Sequence, residues 1–469
     1  MASAAPCLHH RVPMNDRPKT DRILVWAIVA SQFGPPFMFS GVAVALPGMG
    51  QELRMSAVQL GLVETTFLAS STAFLLPAGR LADAGDRRTV FRWSLVAFGL
   101  LSLSLAFANS ATAVLVLRLL QGIASALCAA SGPAILVDLV PPERRGSVFG
   151  AVLGVAYAGL SAGPLAAGWI VTHFDWRAVF GFGAMLILAG YLPVHFRMPS
   201  RWRWPGRFVH VPSVLLFVGA VFAMVFGSAA LPAGWIGVTG LVVGAVLLIT
   251  FFWLQLRIER PLLDLRELAA NAVLSRALAV QLLVYGNAYC SLFMLSVFLQ
   301  VTKGETPADA GHVLAIGSLV MACIAPFAGR LADRMRPQIV AAIGVAAVAA
   351  SSLLGITLNA DAPTWRTAAV LAAQGVGFGL FSSPNLAVIM GSMRGDRSGT
   401  ASALAAQSRG LGMFFGMVVT GALIASHFGA RPVRDDPPLF VEALHGAYVV
   451  LLVTSVLAFV VAIVGRARR

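Results

Sequence analysis

At 469 residues, the chain carries only 12% charged side chains against 58% apolar ones, and its mean hydropathy is +0.82. A soluble protein of this length holds roughly twice that charge fraction, which excludes soluble enzymes and soluble binding modules. The net charge of +14 does not mark a nucleic-acid partner either. Of the 34 Lys and Arg, 26 fall in segments on one side of the apolar runs, 6 on the other and 2 within them. That asymmetry is the positive-inside pattern of a cell inner (plasma) membrane protein with both termini in the cytoplasm.

Residues 1–22 read as a polar cytoplasmic tail without a cleavable-signal pattern. Six apolar runs follow near 23–46, 57–79, 91–108, 112–139, 147–172 and 177–196, forming an N-terminal bundle over 23–196. A basic loop, RMPSRWRWPGR at 197–207, leads to two more runs near 210–230 and 235–256 and a cytoplasmic linker ending at 274. A second set of six, near 275–300, 312–331, 338–358, 366–390, 399–425 and 441–464, forms a C-terminal bundle over 275–465, with a short tail at 466–469. Each run is long enough to cross a ~30 Å hydrocarbon core. Backbone groups in lipid must be satisfied within a segment, and these segments are too long for barrel strands. The predicted fold is therefore an all-α polytopic membrane protein of fourteen spans, two six-helix bundles plus two inserted transmembrane helices.

The two bundles are related. AGRLAD occurs at 78–83 and again at 328–333, and Gln121-Gly122 with Pro133 is echoed by Gln374-Gly375 with Pro384. Six spans occupy about 175 residues, so the larger offset of the echo matches the inserted pair. Two-fold repeats in a lipid-embedded chain place a working site between the halves.

Three segments carry chemistry. In GRLADAGDRR at 79–88, Gly79 permits close helix approach, Asp83 can meet a helix N-terminus or a neighbouring Arg, and Arg87 and Arg88 can hold the cytoplasmic face and its anionic lipids. Its second copy keeps Gly329, Asp333 and Arg334 before Pro337. In RLLQG at 118–122, Arg118 lies about two turns inside its span, a depth at which charge is costly without a cavity or a partner. In GLSAGPLAAG at 159–168, Gly159 and Gly163 make a flat strip, Pro164 removes a backbone donor, and Gly168 closes the motif.

On these segments the chain resembles the major facilitator superfamily over nearly its whole length, and more narrowly the superfamily's fourteen-span drug:proton antiporters. The resemblance implies a latch at 79–88 that stabilises one access state, a cavity-facing Arg118 in proton transfer, and an antiporter motif at 159–168. It also implies a transporter and no enzyme. Ala84 departs from a usual basic residue, Gly85 falls one position early, and Ala167 replaces a usual Gly. Met38 stands where the family's acid in span one aligns, so neutral, amphiphilic or anionic substrates stand beside cationic drugs.

Glu64 is the acidic residue set deep in a span, among apolar and small neutral neighbours that make its charge costly and suit it to proton exchange. Arg118, at similar depth, opposes that effect. Arg409 is the other intramembrane charge, and the resemblance implies that it faces Glu64 across the cleft in one access state. Gln32, Gln121, Gln281, Tyr285, Asn287, Gln374, Asn385 and Gln407 are the polar candidates for lining a substrate cavity. Each of them alone is more often a helix–helix hydrogen bond worth ~1 kcal/mol. Gly34-Pro35-Pro36 should break or kink the first span. The four Cys have no metal-ligand spacing and the eight His are dispersed, so no cofactor, metal site or membrane-enzyme constellation is expected. The expected function is proton-coupled export of small amphiphilic compounds, of the multidrug-resistance type. A dedicated exporter of a sugar, amino acid or secondary product is the alternative. The expected partners are a small-molecule substrate, protons and the bilayer. No nucleic acid is expected, and a periplasmic adaptor is not indicated. A non-transporting receptor would need a soluble signalling domain, which the sequence does not contain.

Overall fold

The computed structural model describes residues 22–198, 210–259, 261–393 and 398–464, and every regular element among them is helical. The basic loop after Met198 and both terminal tails lie outside the described residues. The first span is two helices, α1 (Arg22–Ser31) and α2 (Gly34–Glu52), divided at Gln32–Phe33. The break falls where Gly34-Pro35-Pro36 cannot continue a hydrogen-bond ladder from the preceding turn. The N-terminal bundle is completed by α3 (Ala57–Ala84), α4 (Arg87–Leu105), α5 (Ala111–Leu139), α6 (Pro142–His173) and α7 (Trp176–Arg197). Helices α8 (Val211–Ala229) and α9 (Trp235–Arg257) are the inserted pair. The linker after them holds a six-residue helix, α10 (Leu265–Ala270), where the sequence reading expected only a connection. The C-terminal bundle comprises α11 (Ala272–Val297), α12 (Pro307–Arg334), α13 (Pro337–Ile356), α14 (Thr364–Gly391), α15 (Ser398–Phe428) and α16 (Pro437–Val464).

Side chains suited to the task start these helices. Ser56 and Gln59 close a reciprocal capping box on α3, and Ser110 caps α5. Asp86 caps α4 through the Arg88 amide at 3.1 Å and also accepts from Thr89 Oγ1 at 2.8 Å. Thirteen spans among the described residues, counting α1–α2 as one, are long and apolar enough to cross a membrane. Helix α14 is the fourteenth. It has 28 residues but is more polar, with Gln374, Ser382, Ser383 and Asn385 along its length.

The packing repeats as the sequence does. In the first bundle α3 and α4 pack on α5, α2 on α6, and α4 and α2 on α7. In the second, α12 and α13 pack on α14, α11 on α15, and α13 and α11 on α16. Glycines fix the equivalence. A Cβ on Gly122 would collide with the carbonyl of Phe67, and one on Gly375 would collide with the carbonyl of Gly317. The same helix crossing therefore occurs twice, at matching places in the repeat.

Between the bundles α6 meets α12 and α3 meets α15, contacts that exchange under the repeat, while α2 meets its own counterpart α11. Several junctions cluster away from the basic loops. The Ala308 amide donates to Thr172 Oγ1 at 3.1 Å, Ser296 Oγ to the Ala43 carbonyl at 2.6 Å, and Gln300 Nε2 to the Val44 carbonyl at 3.1 Å. The Ala57 amide reaches the Arg431 carbonyl at 3.0 Å. The glycine strip of α6 serves two faces. Gly159 and Gly163 lie against the α2 backbone, whereas Gly168 and the Pro164 carbonyl lie against α12 at Pro307 and Gly311.

The α8–α9 hairpin covers the α3–α15 seam, with Phe217, Val221, Val225 and Phe251 packed beside Ala69, Ala73, Phe414 and Val418. Buried Gln255 knits its basic end. Its Nε2 donates to Ser213 Oγ at 2.9 Å, and its Oε1 accepts from the amides of Leu262 at 2.7 Å and Leu263 at 3.3 Å. Arg80 of α3 then donates to the Pro261 carbonyl at 2.7 Å.

Candidate proton and substrate site

On α5, Arg118, Gln121 and Gly122 share one face through their i, i+3 and i+4 spacing. Gly122 lets α3 approach so closely that any side chain there would strike Ser70. That approach brings Arg118 onto α3 one turn away. Arg118 Nη2 meets Glu64 Oε2 at 2.9 Å, with both side chains at most 2% exposed. Arg118 Nε donates to the Val63 carbonyl at 3.1 Å and Nη1 to Gln121 Oε1 at 2.8 Å. Gln121 Nε2 in turn donates to Ser102 Oγ of α4 at 2.8 Å, and the guanidinium lies 4.3 Å from the Phe67 ring centroid. A charge held this way inside a span is tolerated because every face of it has a partner. Glu64 is less complete: its Oε1 has no hydrogen-bond partner among the described residues.

Arg118 is thus enclosed between helices of the first bundle, not open to the space between bundles as the resemblance implied. Close packing at Gly122 is the reason.

Arg409 occupies a different place. It lies on α15 about 16 Å from that helix's start, at ~1.5 Å per residue, roughly a third of the way along it. Its side chain is partly exposed, and its guanidinium is 5.8 Å from the Tyr285 ring centroid. Tyr285 of α11 is within side-chain hydrogen-bond reach of it, and Tyr289 of α11 and Tyr157 of α6 lie within its electrostatic reach. Among the described residues no carboxylate lies within ion-pair distance of Arg409, so Glu64 is paired with Arg118 and not with Arg409 here. An aromatic column links the two charged places. The Phe67 ring beneath Arg118 is 6.2 Å from Phe39, and Phe39 is 3.8 Å from Tyr289. Tyr289 lies within electrostatic reach of both Glu64 and Arg409.

Of the other polar candidates, most are engaged inside the protein. Gln281 bonds the Ala405 carbonyl at 2.5 Å, and Asn385 bonds the Ala277 carbonyl and Gln281. Gln374 donates to Asn287 Oδ1 at 3.1 Å, while Asn287 donates to Ser352 and Ser455. Gln407 bridges the bundles by donating to the Thr72 carbonyl at 3.3 Å. Gln32 is half-buried at the α1–α2 break and meets Ser31. Tyr285 is the one that faces Arg409. Tyr157, Tyr289, Phe39 and Phe67 were not selected from the sequence. The available signal was scarcity: the chain has five Tyr, and three of them gather around Arg409.

At the basic end, Arg87 and Asp138 form an ion pair at 2.8 Å beside a cavity of about 280 Å³ shared with Asp86, Arg88 and Ile135. The Asp83 side chain lies outside the described ones. Gly79 requires a correction: a Cβ there would meet nothing within 4 Å, and the same holds at Gly329. Neither glycine serves close helix approach in this conformation, because both face open space. Asp333 and Arg334 are exposed at the end of α12. Among the described residues no cluster of three His, Cys, Asp or Glu could hold a metal ion.

Fold and charged core together define a two-bundle membrane transporter, and the chain belongs to the Major Facilitator Superfamily. That family's model matches residues 28–260, 213–417 and 277–469. The puromycin resistance protein pur8 of Streptomyces alboniger is 29% identical over 449 residues, covering 89% of this chain and 87% of that protein. The tetracenomycin C resistance and export protein of Streptomyces glaucescens is 28% identical, covering 83% and 73%. The riboflavin transporter RibZ of Clostridioides difficile is 25% identical, covering 81% and 83%. Among solved structures, the POT family transporter PepTSo superposes with a TM-score of 0.71 at 15% identity, over 96% of this chain and all of that one, a likeness of fold.

Proposed function

We propose that this transporter exports small amphiphilic compounds in exchange for protons, by alternating access of its two bundles across the cell inner membrane, with both termini cytoplasmic. The observation that carries this reading is the buried Glu64–Arg118 pair, whose carboxylate keeps Oε1 free of any described partner. A proton taken there neutralises Glu64 and leaves Arg118 without a counter-ion, so protonation is tied to the packing of α3 on α5. The loop charge bias assigns the basic end to the cytoplasm. The junctions at Thr172–Ala308 and Ser296–Ala43 then close the outer face. On that assignment, this conformation has released its proton inward and receives substrate from inside.

Substrate loading opens the outer face, and a proton reaching Glu64 from outside weakens its hold on Arg118 and favours return. Arg409 takes Glu64 as partner in the other access state, and Tyr289 lies within electrostatic reach of both in this one. Asp83, Arg87 and Arg88, with Gly79 and the second copy at Gly329, Asp333 and Arg334, form the latch that closes the basic end when the outer face opens. One proton moving inward across 100 mV supplies about 2.3 kcal/mol to the cycle. The names of two antibiotic-resistance relatives support export of such compounds. The riboflavin transporter supports a second reading, a dedicated exporter of one metabolite.

Dye-quenched proton flux in energised inverted vesicles tests the reading. Compounds that dequench wild type but not Glu64→Gln establish antiport through this carboxylate. Equal responses from both proteins remove Glu64 from coupling.

A further inference from the structure

The seam between the bundles carries positive charge and aromatic side chains. Glu64, the carboxylate at that depth, is already neutralised by Arg118 at 2.9 Å. Arg409 has no carboxylate within ion-pair distance among the described residues, yet it is partly exposed about three turns inside its helix. Its neighbours there are neutral phenols, with Tyr285 within side-chain hydrogen-bond reach, so the charge itself stays unbalanced and costly until an anion meets it. Its setting is shaped for a flat ligand. The Tyr285 ring lies 5.8 Å from the guanidinium and is itself fixed edge-on by Phe378 at 5.5 Å and Phe381 at 6.2 Å. Tyr289 is held against Phe39 of the opposite bundle at 3.8 Å, and Tyr157 comes from α6. Both bundles therefore contribute walls, and rocking would open and close them together.

Resting on the exporter reading above, the geometry points to a substrate class: planar aromatic compounds bearing an acidic group, whose anion pairs with the Arg409 guanidinium while its ring stacks between Tyr285 and Tyr289. A guanidinium presents two parallel donors that suit a carboxylate or a delocalised phenolate. An ammonium in the same place would add a second positive charge to an unscreened one and is disfavoured. Arg409 is the specificity-determining residue, and the tyrosines supply area at low entropic cost.

The test is equilibrium binding to the full chain in lipid nanodiscs, without any gradient. The probes are three fluorescent compounds on one ring system: 9-anthracenecarboxylate, 9-anthracenecarboxamide and 9-anthracenylmethylammonium. Wild type should bind the carboxylate about tenfold more tightly than the amide, as expected for a charge-assisted hydrogen bond, and the ammonium most weakly. Arg409→Gln should bring carboxylate and amide together while leaving the amide within about twofold. Arg409→Lys should keep part of the preference, since it retains the charge but loses the fork. Should Arg409→Gln fail to fold, the wild-type ranking and Arg409→Lys still decide. Equal binding of all three probes by wild type, tighter ammonium binding, or an unchanged ranking in the Arg409 variants overturns the assignment. The ranking is read on wild type at equilibrium without a gradient, whereas coupling is read from proton flux, so failure of the exporter reading is distinguishable from failure of this one.

Discussion

Gln121 and Gln374 hold equivalent positions in the two bundles, and one is bonded to a charge while the other is bonded to a neutral amide. Gln121 accepts from Arg118 and donates to Ser102. Gln374 donates to Asn287, which donates to Ser352, the echo of Ser102. The counterparts of Glu64 and Arg118 under the same repeat are Leu314 and Leu371, both buried. One scaffold thus carries an ion pair in its first copy and two leucines in its second. The buried charges are a choice made in one bundle and not a requirement of the helix crossing.

Replacing the pair by its own echo should follow from this. Glu64→Leu and Arg118→Leu singly should each cost about 3–5 kcal/mol, because each strands a buried charge. The double variant should recover most of that loss and unfold near the wild-type temperature in detergent, while showing no proton-coupled flux. A double variant less stable than both single variants would mean the pair holds the fold as well.

Gly122 and Gly79 should respond oppositely to alanine. Gly122→Ala drives a methyl into Ser70 and the Phe67 carbonyl, overpacking of a kind that costs about 1–3 kcal/mol. Gly79→Ala meets open space and should leave the unfolding temperature within a degree or two, about the effect of a surface change. If Gly79 packs closely only when the basic end shuts, Gly79→Leu should slow transport at unchanged stability. Thermal unfolding and vesicle flux measured side by side separate the two glycines, and an unfolding loss at Gly79 would contradict its open setting.

Asn287 joins α11 to α13, α14 and α16 through Ser352, Gln374 and Ser455. Asn287→Leu should lower stability by about 1–3 kcal/mol, from hydrogen bonds of roughly 0.6 kcal/mol each plus steric mismatch. The protein that folds should keep its proton coupling, since the network is neutral and confined to the second bundle. Loss of coupling at normal stability would assign Asn287 a working role.

Thr172 and Ala308 face each other across the bundles, with amide and hydroxyl 3.1 Å apart. Cysteines introduced at both positions should form an oxidative cross-link that stops flux, and reductant should restore it. Full flux from the cross-linked protein would mean that these ends do not separate during the cycle.

Much of this molecule was readable before folding. Lipid forbids unsatisfied backbone, so apolar run length dictated fourteen spans, the run near 366–390 that becomes the more polar α14 among them. The break before Gly34-Pro35-Pro36, the tight crossings at Gly159 and Gly163, and the burial of Glu64 and Arg118 within spans were legible from local chemistry. Local chemistry could not say which charge meets which. Arg118 was expected to face a cavity, and Arg409 was expected opposite Glu64 in one access state. The closeness of α3 to α5, set by a glycine and a carbonyl 55 residues apart in sequence, enclosed Arg118 with Glu64 and left Arg409 to three tyrosines. Periodicity and composition determine what each helix must bury. Only tertiary packing decides which residues of distant helices share that burial, because pairing depends on the angle and depth of each crossing and not on any one segment.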